Sequence, residues 1–316
     1  MEKNSDKSTL FSQKRVFEYN GKVMDFTRPR VMGILNVTPD SFYEAGRQGG
    51  MEAWRQRGME AWRQGGMEAW RQRGMEAWRR RVEQMLEDGA NIIDIGAVST
   101  RPGAAGVSVE EENRRLMPPL KEIRKSFPEL IISVDTYRAE ITRMAAGEGA
   151  DMINDISGGT FDPDMIPLVS ELGIPYVIMH IRGTPRNMQV NPQYQNVTEE
   201  VFAFLLQQAK KLEATGHKKI ILDPGFGFGK TVEHNYTLLS HLDRLTANGY
   251  TVLAGLSRKS MINRVLGTTP ETALNGTTVL NTIALMKGAT ILRVHDVKEA
   301  TEAIKLTQNV TIQNYP

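Results

Sequence analysis

Cysteine is absent from the 316 residues. That removes disulfides and thiolate metal sites and fits a reducing compartment. A charge imbalance is lacking too: the formal net charge is +2, too small to imply nucleic acid as a partner. No apolar run approaches the roughly 20 residues that span a bilayer. Met1 to Ser12 is polar and has no apolar core, so it does not read as a secretory signal. These absences predict a soluble, globular, cytoplasmic chain with neither nucleic acid nor membrane as partner. The length is enough to bury the core of a barrel of about 250 residues with additions.

The most informative stretch is Lys219 to Lys230, KIILDPGFGFGK. Ile220 to Leu222 is long enough for a buried strand and too short for a helix. Asp223 follows at once, and Pro224 ends the strand because it cannot donate to a sheet ladder. Gly225, Gly227 and Gly229 allow a backbone that comes close to a ligand. A buried strand, an acid at its C-terminal end and an open loop are how a β/α barrel presents its chemistry.

The same arrangement recurs along the chain. Val31–Leu35 ends in Asn36, and Ile92–Ile95 leads to Ser99-Thr100-Arg101-Pro102-Gly103. Leu130–Val134 ends in Asp135, Met152-Ile153 in Asn154-Asp155, and Tyr176–Met179 in His180. Thr251–Ala254 precedes Ser257-Arg258-Lys259-Ser260, and Ile291-Leu292 precedes Arg293-Val294-His295-Asp296. Helical patterns such as Glu110–Ser126, Thr198–Thr215 and Ala273–Lys287 separate the strands, which implies a parallel sheet with crossover helices. Eight such units with polar ends on nearly every strand favour a closed (β/α)8 TIM barrel, because an open sheet would gather its polar ends at one switch point. Ahead of it, Arg15–Tyr19 and Lys22–Phe26 flank Asn20-Gly21, a hairpin signal; the hairpin is expected to close the bottom of the barrel. We thus expect a tail and hairpin over 1–30 and a barrel domain over 31–316.

One segment breaks the pattern. Met51-Glu52-Ala53-Trp54-Arg55-Gln56-Arg57-Gly58 recurs from Met59, Met67 and Met75, and holds all four tryptophans. At about 100° per residue a period of eight drifts by roughly 80° per copy, so the tryptophans form no single helical stripe. Only the last copy continues an apolar face, Trp78, Val82, Met85 and Leu86. We therefore read that copy as the first barrel helix and about 51–74 as a tandem insertion in the first βα loop. The insertion is expected to be a partly helical flap, dispensable for folding.

The strand ends sort into two chemical kinds. Asp135, Asn154 and Asp223 suit a flat heterocycle rich in N–H groups, whereas Arg101, Lys259, Arg293 and His295 suit phosphate or carboxylate. Asp94 and His180 also have a plain reading, as a satisfied core acid and a core histidine. Gly225 to Thr231 invites a P-loop reading, but the residue five before Gly229 is Pro224, not glycine, so the Gly-x4-Gly-Lys-Ser/Thr spacing fails.

Seven ordered motifs carry a specific resemblance: Asn36–Phe42, Ser99–Gly103, Ser133–Thr136, Asn154–Ile156, Asp223–Lys230, Ser257–Ser260 and Arg293–Asp296. Together they resemble the dihydropteroate synthases, pterin-binding TIM barrels of the folate pathway. The resemblance implies condensation of 6-hydroxymethyl-7,8-dihydropterin diphosphate with 4-aminobenzoate, Mg2+ as cofactor, inhibition by sulfonamides, and a homodimer. It assigns Asp135, Asn154, Met179, Asp223, Phe228 and Lys259 to the pterin. Asn36, Arg293 and His295 fall to the diphosphate, Asn36 also to the metal, and Phe42, Thr100, Arg101, Pro102 and Ser260 to the aminobenzoate. Catalysis would rest on Asp135, Asp223 and Lys259. The chain departs from the family's pattern after Phe42, where Tyr43-Glu44-Ala45-Gly46 replaces the usual Asp and small residues before the repeat begins. The insertion is expected to alter sulfonamide sensitivity. Two other readings are a pterin-dependent methyltransferase on the same barrel and a non-catalytic protein binding through the Trp/Arg repeat.

Overall fold

Two antiparallel strands come first, β1 (Val16–Tyr19) and β2 (Lys22–Asp25), joined by Asn20-Gly21, both with positive φ. The computed structural model describes residues 15–37, 74–100, 103 and 106–312. The repeats before residue 74, with Phe42, Glu44, Arg101 and Pro102, lie outside the described residues.

Eight parallel strands then close into a barrel. They are β3 (Arg30–Asn36), β4 (Ile92–Gly96), β5 (Ile131–Asp135), β6 (Met152–Asp155), β7 (Tyr176–Met179), β8 (Ile220–Asp223), β9 (Thr251–Ala254) and β10 (Ile291–Val294). Each strand pairs with the next, and β10 returns to β3 through Arg293↔Met32 and Val294↔Gly33. All eight sequence-derived strands are present, and Leu130 alone falls just outside its strand. Strands β6 to β9 are buried at every position, as expected when helices cover the outside and side chains fill the inside.

The helices include α1 (74–87), α2 (Val109–Ser126), α3 (Ala139–Gly147), α4 (Met165–Leu172), α5 (Val197–Ala214), α6 (Val232–Ser240), α7 (Leu242–Thr246), α8 (Ser260–Leu266), α9 (Leu274–Met286) and α10 (Val297–Ile312). Among the described residues none is long and apolar enough to cross a membrane. The last repeat copy is indeed the first barrel helix. Val82 and Met85 are buried, while Trp78 and Leu86 are partly buried against the same core.

Two apolar clusters organise the interior. The larger lies between strands and helices. The smaller joins Phe17, Met24 and Phe26 of the hairpin segment to Met32, Ile92, Met152, Val177, Ile221, Leu253 and Ile291. Each of these seven barrel residues comes from a different strand, five of them at its first or second residue, so the hairpin plugs the bottom as expected. Because side chains alternate across a strand, the residues two positions further on also face inward. Those residues are Ile34, Asp94, Asn154, Met179, Asp223, Gly255 and Arg293. An apolar floor thus sets the facing of a largely polar layer above it.

Candidate active site

The polar layer is tightly wired. Asp94 is fully buried, and its Oδ2 accepts from Arg293 Nε at 2.6 Å and Asn154 Nδ2 at 3.1 Å. The second arm of Arg293 donates from Nη2 to Asp135 Oδ2 at 2.8 Å. One guanidinium therefore bridges two carboxylates, and their proximity holds its charge more firmly, with burial opposing. Burial pushes the Asp135 carboxyl up to about 7; Arg293 counteracts this, and the negative charges of Asp94, Glu112 and Asp155 add to it.

Across the mouth, Asp223 Oδ1 accepts the Gly225 backbone N–H at 2.7 Å. Burial raises the Asp223 carboxyl, and Lys259 partly offsets that. Lys259 donates to the Phe226 carbonyl and lies 4.8 Å from the centre of the Phe228 ring. Burial lowers its ammonium to about 8, with Asp223 acting in the opposite sense. Asp223, Lys259 and Phe228 thus gather around one side of the opening. Met179 is buried at the end of the neighbouring β7.

The glycine turn is required by space. Gly225 has φ +69°, and a Cβ there would overlap the His180 carbonyl oxygen. Gly229, at φ +64°, would meet the Arg182 backbone. Lys230 closes the turn from inside: its buried Nζ reaches His180 Nδ1 at 3.0 Å, Gly225 O at 2.9 Å and Phe228 O at 3.0 Å. Burial holds the His180 imidazole down to about 2, with Lys230 contributing, so the ring is neutral and accepts through Nδ1. The core reading of His180 therefore holds, with a duty added: it helps anchor the loop that carries Phe228.

Beside this group, in the turns after β9 and β10, Ser257 and His295 interlock. Ser257 Oγ lies 3.0 Å from His295 Nδ1 and accepts the His295 backbone N–H at 3.2 Å. Arg258 has φ +57°, a strained conformation for a residue with a Cβ. Its guanidinium grips Asp296 through both carboxylate oxygens, at 2.9 and 2.5 Å. The turn after β9 and the turn after β10 are thereby held as one unit, where barrels commonly bind phosphate. Arg81 of α1 donates to the His295 carbonyl at 3.1 Å, which joins the last repeat copy to this side.

Of the residues expected at the site, Asn36, Asp135, Asn154, Met179, Asp223, Phe228, Lys259, Arg293 and His295 all occur at or just beyond C-terminal strand ends. Thr100 is half-buried beyond β4, and Ser260 is exposed at the start of α8. The sequence reading gave no function to Lys230 or Ser257, and for Asp94 it offered only the role of a core acid. The available signal for Asp94 was its spacing, two residues after the inward-facing Ile92.

The pterin binding enzyme family matches residues 70–295. The dihydropteroate synthase of Haemophilus influenzae is 43% identical over 291 residues, covering 92% of this chain and 96% of that protein. The Yersinia pestis dihydropteroate synthase, solved with a sulfonamide drug, superposes with a TM-score of 0.80 at 37% identity, covering 94% of this chain and 99% of that one. The Xanthomonas albilineans dihydropteroate synthase with 4-aminobenzoic acid gives 0.80 at 36% identity, over 96% and 100% of the two chains. Both likenesses run almost end to end and agree with the strand-end chemistry, so this chain belongs to the pterin binding enzyme family, on its dihydropteroate synthase branch.

Proposed function

We infer that the chain condenses 6-hydroxymethyl-7,8-dihydropterin diphosphate with 4-aminobenzoate, giving 7,8-dihydropteroate and diphosphate. The observation that carries this reading is the set of carboxylates, amide and cations gathered at the strand ends, with Arg293 on Asp94 and Asp135 and with Lys259 beside Asp223. Asp135, Asn154 and Asp223 offer acceptors to the N–H edge of a pterin, and Lys259 reaches the same ring. Phe228 and Met179 supply the apolar faces. Arg293 and His295 meet the diphosphate, next to the Ser257 interlock. Thr100 and Ser260, with Phe42, Arg101 and Pro102, complete the aminobenzoate side.

In the reaction the C–O bond to diphosphate breaks, the arylamine nitrogen bonds to the methylene carbon, and the amine loses a proton. Positive charge develops on the pterin methylene as diphosphate leaves, and the buried carboxylates Asp135 and Asp223 stabilise it electrostatically. The arylamine is a competent nucleophile toward that cation, so the reaction needs no nucleophile from the protein.

The Asn36 amide oxygen, at the end of β3, is a hard donor that fits Mg2+. This ion commonly takes one or two protein oxygens and completes its shell with phosphate and water. When bound, Mg2+ would offset charge on the leaving diphosphate.

Formation of pteroate from the two substrates by the purified chain is the direct test, and no product would overturn the reading. Nothing in the comparisons favours the methyltransferase or the non-catalytic alternative. The Asp135 carboxyl, raised to about 7, gives the reaction a pH signature. The negative form is the one that stabilises a cation, so kcat/KM should climb as pH rises through about 7 and then level off. The stability sign is opposite: folding tightens the proton on Asp135, so its contribution falls as pH rises from about 4 to about 7. Asp135→Asn should abolish the limb in kcat/KM, and a limb that survives would assign it to another group.

A homodimer is supported by exposed Val279, Ile283 and Met286 on α9 and Leu306 and Val310 on α10. These two helices pack side by side, so the residues provide apolar surface for a second copy. Sedimentation that shows a monomer at micromolar concentration would overturn it. The repeat over about 51–74 acts in this reading on sulfonamide sensitivity, because it follows Phe42 and leads into α1, whose Arg81 touches the anion side. Deleting Met51 to Gly74 should change the ratio of the sulfonamide inhibition constant to the KM for aminobenzoate while sparing the melting temperature. An unchanged ratio would make the repeat a passenger.

A further inference from the structure

Asp94 is a fully buried carboxylate that touches two proposed ligand-binding residues and is itself assigned to neither ligand. Its Oδ2 accepts from Arg293 Nε and from Asn154 Nδ2. Its Oδ1 is buried and has no hydrogen-bond partner among the described residues. A merely structural acid would be expected to have both oxygens satisfied, since leaving a buried acceptor unpaired is costly. The cost falls at the centre of the inward layer, between the strand that carries Asn154 and the strand that carries Arg293.

We propose that Asp94 is a positioning residue, acting through Arg293 and Asn154 to hold the guanidinium and the amide in place at the mouth. The inference rests on the reading of Arg293 as a diphosphate ligand and Asn154 as a pterin ligand. Two consequences follow from the contacts. First, Asp94 takes the amide N–H of Asn154, which fixes the amide orientation and leaves Asn154 Oδ1 as the acceptor for a pterin N–H. Secondly, Asp94 shares the guanidinium of Arg293 with Asp135. It holds the cation beside the pterin acids and neutralises part of the charge available to the leaving diphosphate. Loss of the Asp94 charge should therefore free Arg293 toward anions, whereas loss of its acceptor should release Asn154.

Two substitutions separate these duties, and two probes read them by calorimetry: inorganic diphosphate and 6-hydroxymethylpterin, which lacks the diphosphate. Asp94→Asn keeps an oxygen acceptor and removes the charge. It should tighten diphosphate binding by about tenfold, as expected when a hydrogen-bonded counter-charge is lost, and leave the pterin within about twofold. Asp94→Leu removes both acceptors and should weaken the pterin by about tenfold or more. That loss should shrink when Asn154 is already alanine, because residues acting through one contact are not additive. Should the leucine variant fail to fold, Asp94→Ala tests the same loss of anchoring.

A purely structural Asp94 would weaken both ligands together, in step with the melting temperature, and that result would overturn the inference. So would an unchanged diphosphate affinity in Asp94→Asn, or a pterin loss that persists undiminished in the Asn154→Ala background. The intact chain serves as the control for the underlying reading. If it binds neither probe and makes no pteroate, the proposed function fails and the inference with it. If it binds both and only the variants disagree, the inference alone fails.

Discussion

Asp223→Asn should fold as the parent does and lower turnover by about 10²–10³-fold. The carboxylate sits at the end of β8, where its Oδ1 takes the Gly225 N–H at 2.7 Å. Asparagine retains an oxygen for that bond, so the turn and the melting temperature should be preserved. The change removes the negative charge that the proposed reaction sets against the cation on the pterin methylene, and replaces an acceptor with an NH2 group near Lys259. The two side chains are close enough that a Cβ built on Gly255 would lie 3.7 Å from Lys259 Nζ and 4.0 Å from Asp223 Oδ2. The loss should appear in kcat as well as kcat/KM, because the interaction strengthens only as the cation forms. Steady-state pteroate formation measures it. Near-normal kcat in a folded variant would remove electrostatic stabilisation by Asp223 from the mechanism.

Arg293→Ala carries the other large effect, and it acts on both binding and stability. The guanidinium donates to Asp94 at 2.6 Å and Asp135 at 2.8 Å. Removing it leaves two carboxylates without their shared cation, one of them fully buried. Breaking a buried pair from one side typically costs about 3–5 kcal/mol. Part of this will be relieved as Asp135 takes up a proton, so the destabilisation should grow as the pH is raised. Diphosphate affinity should fall by about 10–100-fold, the worth of one lost charge-assisted contact. Thermal unfolding across a pH series and calorimetry with free diphosphate read the two effects separately. Unchanged diphosphate affinity would show that this strand end does not bind the leaving group.

Much of the architecture could be read directly from the chain. Short apolar runs such as Tyr176–Met179 and Thr251–Ala254 can be nothing longer than strands, and each stops at a polar residue or a turn. Asn20-Gly21 specifies a hairpin through positive φ at both residues, as observed. The last repeat copy alone has an apolar face with helical spacing, and Val82 and Met85 bury it. These features are local, so neighbouring residues suffice to determine them. The strand-end acids and cations were legible for the same reason.

The tertiary structure alone decided which of these groups meet. Residues 94 and 293 are 199 positions apart, and only closure of the barrel through β10 and β3 brings them into one ion pair. Asp94 reads as an ordinary core acid in the run Ile92–Ile95 until the floor of Met32, Ile92, Met152 and Ile291 fixes which face of each strand points inward. Lys230 looks like the end of a glycine motif until the turn folds around its Nζ and surrounds it with carbonyls. Sequence specifies where strands stop because backbone conformation and burial of a short segment are local properties. Partners across a barrel depend on register and closure, which the whole sheet sets at once.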